Sequence, residues 1–488
     1  MWITIYYIFS YAIFFYSLSV ILINMYLTIQ SFRAQNDLSV DMPDDVTLRY
    51  MFRGSPITPA VSIIAPAFNE EKTVISNAYS LLQVDYPKLE VIIVNDGSKD
   101  KTLELLIDEF KLQKVPFTNS MRVPSKPIKY VYRSTEKQFS SLVVVDKEPG
   151  GHKSDASNAG INVCTSKYFV CTDVDCIVEP MSIYRMMWLI INSHYPMVGV
   201  SATLLMLNGC TVKDGRVTEV AVPTNPLPWF QQLEYMRSFL IAKLGWSKMN
   251  ILPNISGGFG LFDTEVVVKS GGYDPISMAE DVDLLLRMVT YMKNNNERFR
   301  VGQVSRASCW TEGPFTFQSL YRQRTRWARG LFEVLSNHRK LLFNPHYGKY
   351  GMLILPYILL FEFLAPILEI SGFCFMIWLV LIGRVNWSTT FQIFGMVYFS
   401  SFLFAFFVIL SDYTTKSIPW KRPIVSYLKL LLAAMLEPFI YHPFITLFSI
   451  IGYFNFLTNR SLVWKDIQRG DRRMRRKSEN NETKQTPQ

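Results

Sequence analysis

"VSIIAPAFNEEKTVISNAYSLLQVDYPKLEVIIVNDGS", residues 61–98, holds two short β-branched runs with a helical spacing between them. The first, 61–66, ends at a proline, and the second, 89–94, runs into "NDGS". Val74, Ala78, Leu81 and Leu82 recur at the spacing of one helical face, so a helix is expected over 70–82. Helical spacing returns over 102–110, and 143–145 and 168–171 are further strand-like runs. Strand and helix in alternation predict parallel βαβ units in a doubly wound α/β sheet. Such sheets bind ligands outside the carboxyl ends of their strands, where strand order switches.

Three polar segments follow strands and therefore fall at that one end: "PAFNE" (66–70), "NDGSKDKT" (95–102) and "TDVD" (172–175). Glu70, Asp96, Asp173 and Asp175 are expected around a common cleft. Asp173 and Asp175 are two residues apart, so in an extended chain both aim to one side. Two carboxylates held together repel unless a cation sits beside them. A hard divalent ion such as Mg²⁺ or Mn²⁺ fits that need, and an ordinary Asp-rich turn after a strand fits the same letters. Asp96, before Gly97, is open to the same two readings: a turn residue, or an acceptor for a nucleobase imide. Neither a G-x-G-x-x-G nor a G-x-x-x-x-G-K-[ST] motif is present, so dinucleotide and P-loop chemistry lack their signatures.

Further along, "GGHKSDASNAG" (150–160) places Lys153 at a helix start, which suits a phosphate or a plain cap. "ISGGFGLF" (255–262) gathers three glycines beside the expected cleft. "SMAEDVDLLLRM" (277–288) puts Glu280 and Asp281 at a helix N-terminus, where the helix dipole alone favours acids. "QRTRWARG" (323–330) lies just before a long apolar block, where Arg and Trp also serve as interfacial anchors.

The apolar content is unevenly spread along the 488 residues. Segments 1–32, 351–383, 391–410 and 424–457 are long and apolar, whereas 40–340 is rich in charge. About 20 apolar residues cross a hydrocarbon core. A membrane protein with one large soluble domain between an N-terminal span and a C-terminal block is expected. Segment 1–32 lacks a basic start and is too long for a cleaved signal, so it is read as a retained anchor. Segment 424–457 is interrupted by Glu437, Pro438, Tyr441, His442 and Pro443, and is read as a re-entrant or interfacial hairpin or as two short helices.

The net charge is +10. Arg469, Arg472, Arg473, Arg475, Arg476 and Lys477 follow the last apolar block, and Lys416, Lys421 and Arg422 occupy a short loop. Both clusters are expected in the cytosol, near anionic lipid, and no nucleic-acid partner is implied. The last eleven residues, "SENNETKQTPQ", read as disordered. Six cysteines at 164, 171, 176, 210, 309 and 374 form no Cys-x-x-Cys pair, so core packing is expected rather than disulfides or zinc.

Taken in order, these segments resemble the membrane-embedded family-2 processive glycosyltransferases, the group of cellulose, chitin, hyaluronan and poly-N-acetylglucosamine synthases. The residues that carry the resemblance are Asp96 in "VNDGS", Lys153 and Asp155 in "HKSDASN", the Asp173-Val174-Asp175 triplet, Glu280-Asp281, and Gln323-Arg324-Thr325-Arg326-Trp327. It spans roughly residues 60–330 and extends more loosely through the apolar block, including "LEPFIYHP" and Trp464. Ala279 departs from the pattern, since many relatives carry threonine before the Glu-Asp pair.

The resemblance implies a GT-A nucleotide-sugar fold with mostly parallel strands, and inverting transfer from a UDP-sugar, with UDP-N-acetylglucosamine favoured. It gives Asp96 the uracil, helped by Pro66, Phe68 and Glu70, and gives Lys153 and Arg326 the diphosphate. Asp175, aided by Asp173, would hold Mg²⁺ or Mn²⁺. Asp281 would be the general base beside Glu280, and Gln323 and Trp327 would meet the acceptor. The implied division is a 1–32 anchor, a cytosolic transferase domain at 55–320, an interfacial helix region at 321–348, a membrane channel block at 349–458 and a basic tail at 459–488. The implied partners are a growing polysaccharide or lipid acceptor, membrane lipids and accessory export subunits, at the plasma (inner) membrane. Glycosylation of a membrane lipid, a glucan synthase using UDP-glucose, and a sugar-nucleotide-binding scaffold without catalysis are the competing readings.

Overall fold

A computed structural model describes residues 2–118, 121–174, 176–213, 215–414 and 422–458. Asp175, Lys416, Lys421, Trp464 and the basic residues 469–477 lie outside these residues.

The strands are β1 (Val61–Ala67), β2 (Leu89–Asn95), β3 (Leu112–Val115), β4 (Ile128–Ser134), β5 (Leu142–Lys147), β6 (Tyr168–Thr172), β7 (Ile177–Val178), β8 (Met197–Met206), β9 (Thr211–Lys213), β10 (Arg216–Glu219), β11 (Phe259–Asp263) and β12 (Arg300–Thr311). Ten of them form one sheet in the order β3-β4-β5-β2-β1-β6-β11-β8-β12-β7, and β9 and β10 pair separately. The centre, β5-β2-β1-β6, is parallel. β11 runs antiparallel between β6 and β8, and β3, β4 and β7 are antiparallel additions at the edges.

Side chains alternate across this sheet and feed two cores. Val61, Ile63 and Ala65 of β1, Val91 and Ile93 of β2, and Val170 of β6 enter one core with helices Val74–Leu82, Thr102–Glu109 and Ser182–Ile191. Ile64, Ile92, Val94, Phe169 and Cys171 enter the other with helices Lys153–Val163 and Glu280–Asn294. Strands buried on both faces read as continuous apolar runs, which is why these segments stood out. All six cysteines are free thiols, five of them buried.

Boundaries differ from expectation where polar groups intervene. The helix expected from 70 begins at Val74. Asn69 takes a positive φ of 54°, and the Glu70 carboxylate accepts from Thr73 Oγ1 at 2.7 Å, so the intervening residues form a turn. The first helix runs past 32 to Asp41. Its polar end docks on the soluble domain, with Gln35 Nε2 donating to the Leu240 carbonyl at 3.2 Å and Lys248 paired with Asp37. The "QRTRW" helix spans Phe317–Asn337, capped by Thr316 Oγ1 accepting from Ser319 N at 3.1 Å.

Among the described residues, three helices are long and apolar enough to cross a membrane: Tyr7–Leu38, Tyr350–Leu381 and Trp387–Tyr413. Segment 424–457 forms two helices, Ile424–Ile440 and His442–Leu457, bent by 52°. The break falls among the expected prolines, and the bend is short of the reversal a hairpin requires. Arg422, expected in a short basic loop, is buried against Asp412 at 3.1 Å. Tyr427 also donates to that carboxylate.

Candidate active site

The loops after β1 and β2 interlock. Asn69 N donates to Ser98 Oγ at 3.0 Å, Lys99 N to Asn69 Oδ1 at 2.9 Å, and Glu70 N to Thr102 Oγ1 at 2.8 Å. This holds the 66–70 and 95–102 segments together, and the Asp96 N–H donates to the Ala67 carbonyl at 3.0 Å. Glu70 spends one oxygen on its own turn.

Asp96 is buried and already engaged. Its Oδ1 accepts from Lys147 Nζ at 2.5 Å and from Gly150 N at 2.9 Å. The same ammonium lies 2.6 Å from Asp155 Oδ2, and the Lys147 side chain is 0% exposed. One buried cation thus bridges the two aspartates of separate segments. Gly150 is required here, because a Cβ would fall 2.1 Å from Asp155 Oδ2. Lys147 was missed in the sequence. Its only signal is a lysine that follows Asp146 at the end of the apolar run of β5.

Three residues past Gly150, Lys153 opens its helix and reaches across to β6. Its Nζ donates to the Gly257 carbonyl at 2.7 Å and lies 2.6 Å from Asp173 Oδ1. Burial pulls the ammonium's pKa down, but Asp173, Cys171 and Glu280 outweigh that and hold it above the usual lysine value. Asp173 is 42% exposed, so its carboxylate opens outward. Among the described residues no group of three or more His, Cys, Asp or Glu gathers into a metal site.

Gly257 sits where these groups meet. A Cβ there would lie 3.2 Å from Glu280 Oε1, 3.7 Å from Asp281 Cβ and 3.8 Å from Lys153 Nζ. Burial pushes the Glu280 carboxyl up and Asp281 adds to this, while Lys153 and Arg326 pull the other way. Asp281 Oδ2 accepts from Asn254 Nδ2 at 2.6 Å, and Oδ1 from its neighbour's N–H, Val282 N, at 2.9 Å. Asn254 had no signal in the sequence, being a lone amide in a loop. The structure therefore brings Lys153, Asp173, Glu280, Asp281 and Arg326 together. Asp96 joins them through the 150–155 loop.

The "QRTRW" helix packs against the helix His442–Leu457. Gln323 is buried with Oε1 lacking a hydrogen-bond partner, while Trp327 is 37% exposed. Of the polar residues in the apolar helices, Glu369 accepts from His442 Nε2 and, at 2.7 Å, from Thr446 Oγ1. Glu437 pairs with Arg237 of the soluble domain. Both are satisfied between elements. Lys243, buried over the Phe239 ring at 4.4 Å, is unforeseen. Burial pushes its ammonium down to about 8, against the charges of Asp281 and Glu362.

Two family models match the chain in succession: glycosyl transferase family 2 over residues 62–203 and glycosyl transferase family group 2 over 227–454. The chain is a family-2 glycosyltransferase. It is similar to the poly-beta-1,6-N-acetyl-D-glucosamine synthase of Staphylococcus epidermidis strain RP62A, with 26% identity over 352 residues, 72% of either chain. The synthase of the same description from Staphylococcus aureus strain COL is 27% identical over 277 residues, 56% of this chain and 55% of that one. Among solved structures, the mannosyltransferase PcManGT of Pyrobaculum calidifontis, in complex with GDP-Man and Mn2+, is similar at 15% identity and a TM-score of 0.47, covering 90% of this chain and 99% of that one. Residues 1–349 of Staphylococcus aureus TarS in complex with UDP-GlcNAc give 15% identity and a TM-score of 0.36, covering 85% and 97%.

Proposed function

We propose that this glycosyltransferase moves a sugar, N-acetylglucosamine foremost, from its UDP ester to a growing polysaccharide, with inversion, and passes the product across the membrane. The observation that carries this reading is the convergence of Lys153, Glu280 and Asp281 on Gly257, with Asp173 paired to Lys153. The similarity to poly-N-acetylglucosamine synthases over 72% of the chain supports the choice of sugar.

The residues divide the chemistry between them. Asp96, with Pro66, Phe68 and Glu70 beside it, meets the uracil. Lys147 and Gly150 both use Oδ1, which orients the carboxylate without occupying Oδ2. Lys153 and Arg326 face the diphosphate, which gains negative charge as the glycosidic bond breaks. Fixed cations at that point stabilise the charge where it develops. Asp173 opens outward with carboxylate oxygens of the hard type that Mg²⁺ or Mn²⁺ takes, and Asp175, outside the described residues, completes the pair. A bound divalent ion would add positive charge beside the diphosphate.

Asp281 takes the proton of the acceptor hydroxyl. Asn254 holds the carboxylate by one oxygen. Burial and the neighbouring Asp281 push the Glu280 carboxyl up, while Lys153 and Arg326 pull it down. A base opposite the leaving group makes the displacement in-line and inverting. Gln323 and Trp327 receive the acceptor sugar, whose apolar C–H face suits an indole.

In this reading the transferase domain faces the cytosol. Incubating the full chain with UDP-N-acetylglucosamine and Mg²⁺, and measuring UDP release and product length, tests the reading. Long polysaccharide supports it. UDP release with a single sugar on lipid supports the lipid-transfer reading, and absence of release with every UDP-sugar rejects both.

A further inference from the structure

Arg324, inside the "QRTRW" stretch, sits in a buried clamp. Its guanidinium is held bidentately by Glu234 of the Leu227–Met236 helix, NH1 to Oε1 at 2.5 Å and NH2 to Oε2 at 2.7 Å. NH2 also donates to the Tyr441 hydroxyl at 3.1 Å, and that hydroxyl donates to Glu234 Oε2 at 3.1 Å. The three groups close a ring of charge-assisted hydrogen bonds, the strong and direction-specific kind. Tyr441 is stacked on Phe230, one turn from Glu234, with centroids 5.1 Å apart and planes at 12°.

Each side of this clamp leads somewhere. The Arg324 guanidinium carbon lies 4.5 Å from the centre of the Trp327 ring. It covers part of an indole that remains 37% exposed, fixing the ring while leaving surface for a ligand. Tyr441 is the residue at which Ile424–Ile440 breaks into His442–Leu457. The second of these helices touches the "QRTRW" helix backbone to backbone, since a Cβ on Gly452 would lie 2.6 Å from the Thr325 carbonyl oxygen. At the other end, a Cβ on Gly330 would lie 2.8 Å from Ala279 Cβ, the residue before Glu280.

We propose that Glu234, Arg324 and Tyr441 are positioning residues for the acceptor: they hold the Trp327 plane and tie it to the break in the membrane helices, so that retention of the growing chain depends on a hydroxyl outside the catalytic domain. The proposal rests on the acceptor role given to Trp327 above. Arginine is required rather than lysine, because only a planar fork both grips Glu234 bidentately and lies over an indole.

The test uses the full chain in lipid nanodiscs with the variants Tyr441→Phe, Glu234→Gln and Arg324→Lys. Initial UDP release is measured against UDP-N-acetylglucosamine and against a short oligosaccharide acceptor, together with product length. The expected result is an acceptor KM raised by about 3- to 10-fold and a shorter product, with the donor KM within about twofold of wild type. Tyr441→Phe, which removes only an oxygen, should show the same pattern as Glu234→Gln in weaker form. Unchanged acceptor KM and product length in Tyr441→Phe overturn the proposal. So do donor and acceptor KM values that rise together, which would mark a structural role. Hydrogen exchange over 323–330 reads the clamp without turnover. It should quicken in all three variants, and unchanged exchange overturns the clamp even if the wild type proves inactive towards UDP-sugars, an outcome that counts against the functional reading alone.

Discussion

Asn254 holds Asp281: its amide donates to Oδ2 at 2.6 Å across 27 residues of sequence. The amide restricts the rotation of the carboxylate. Asn254→Ala should therefore lower turnover by about 10-fold, with little change in UDP binding, because it removes orientation and not the base. Steady-state UDP release beside calorimetric UDP binding separates the two effects. Unaltered turnover would make the contact incidental.

Lys147 is the cation beneath Asp96 and Asp155, at 2.5 Å and 2.6 Å. Lys147→Ala would leave two buried carboxylates without their shared cation. Breaking a buried pair costs roughly 3–5 kcal/mol, so the variant should lose much of its thermal stability and accumulate poorly. A Tm close to wild type in the same detergent would count against a buried ion triad. This outcome was not legible in the sequence, where Asp96 and Asp155 stood out and the residue between them did not.

What was legible follows from periodicity and position. Apolar runs such as 61–66 and 89–94 are buried on both faces, and their pattern names the parallel centre of the sheet directly. Aspartates that follow such runs had to fall at one end, and Asp96 and Asp173 do. The antiparallel insertion of β11 between β6 and β8 carries no local signal, because pairing direction is set by distant connections. Asn254 and Lys243 were invisible for a related reason: each acts through partners brought close only by the fold. The bend at Tyr441 was anticipated from Pro438 and Pro443, and its angle was not.

Lys243 supplies a pH prediction. Burial lowers its folded pKa to about 8, below the unfolded value of about 10.4. Between those values the unfolded chain binds the additional proton, so stability rises with pH across that window. Below it the buried ammonium is a full cost, on the order of 3 kcal/mol. Lys243→Met should therefore have a higher Tm than wild type at neutral pH, with the gap closing as pH approaches 10. A gap independent of pH would show that the ammonium is not destabilised by burial.

The tail beyond 458 should be cytosolic, which requires that 424–457 not cross the membrane completely despite its modest bend. Single cysteines at 386, 418 and 480, in a background lacking the native ones, test this with an impermeant thiol reagent on intact cells. Only position 386 should react. Labelling at 480 would make the bent pair a full span.

The central claim is that Asp281 is the base of a UDP-sugar-dependent transfer, and one comparison tests it most directly. Asp281→Asn keeps the shape of the side chain and removes its proton acceptor. With UDP-N-acetylglucosamine and Mg²⁺, the variant should bind UDP as wild type does and lose turnover by about 10²–10⁴-fold. Turnover near the wild-type rate with UDP binding intact would contradict the assignment.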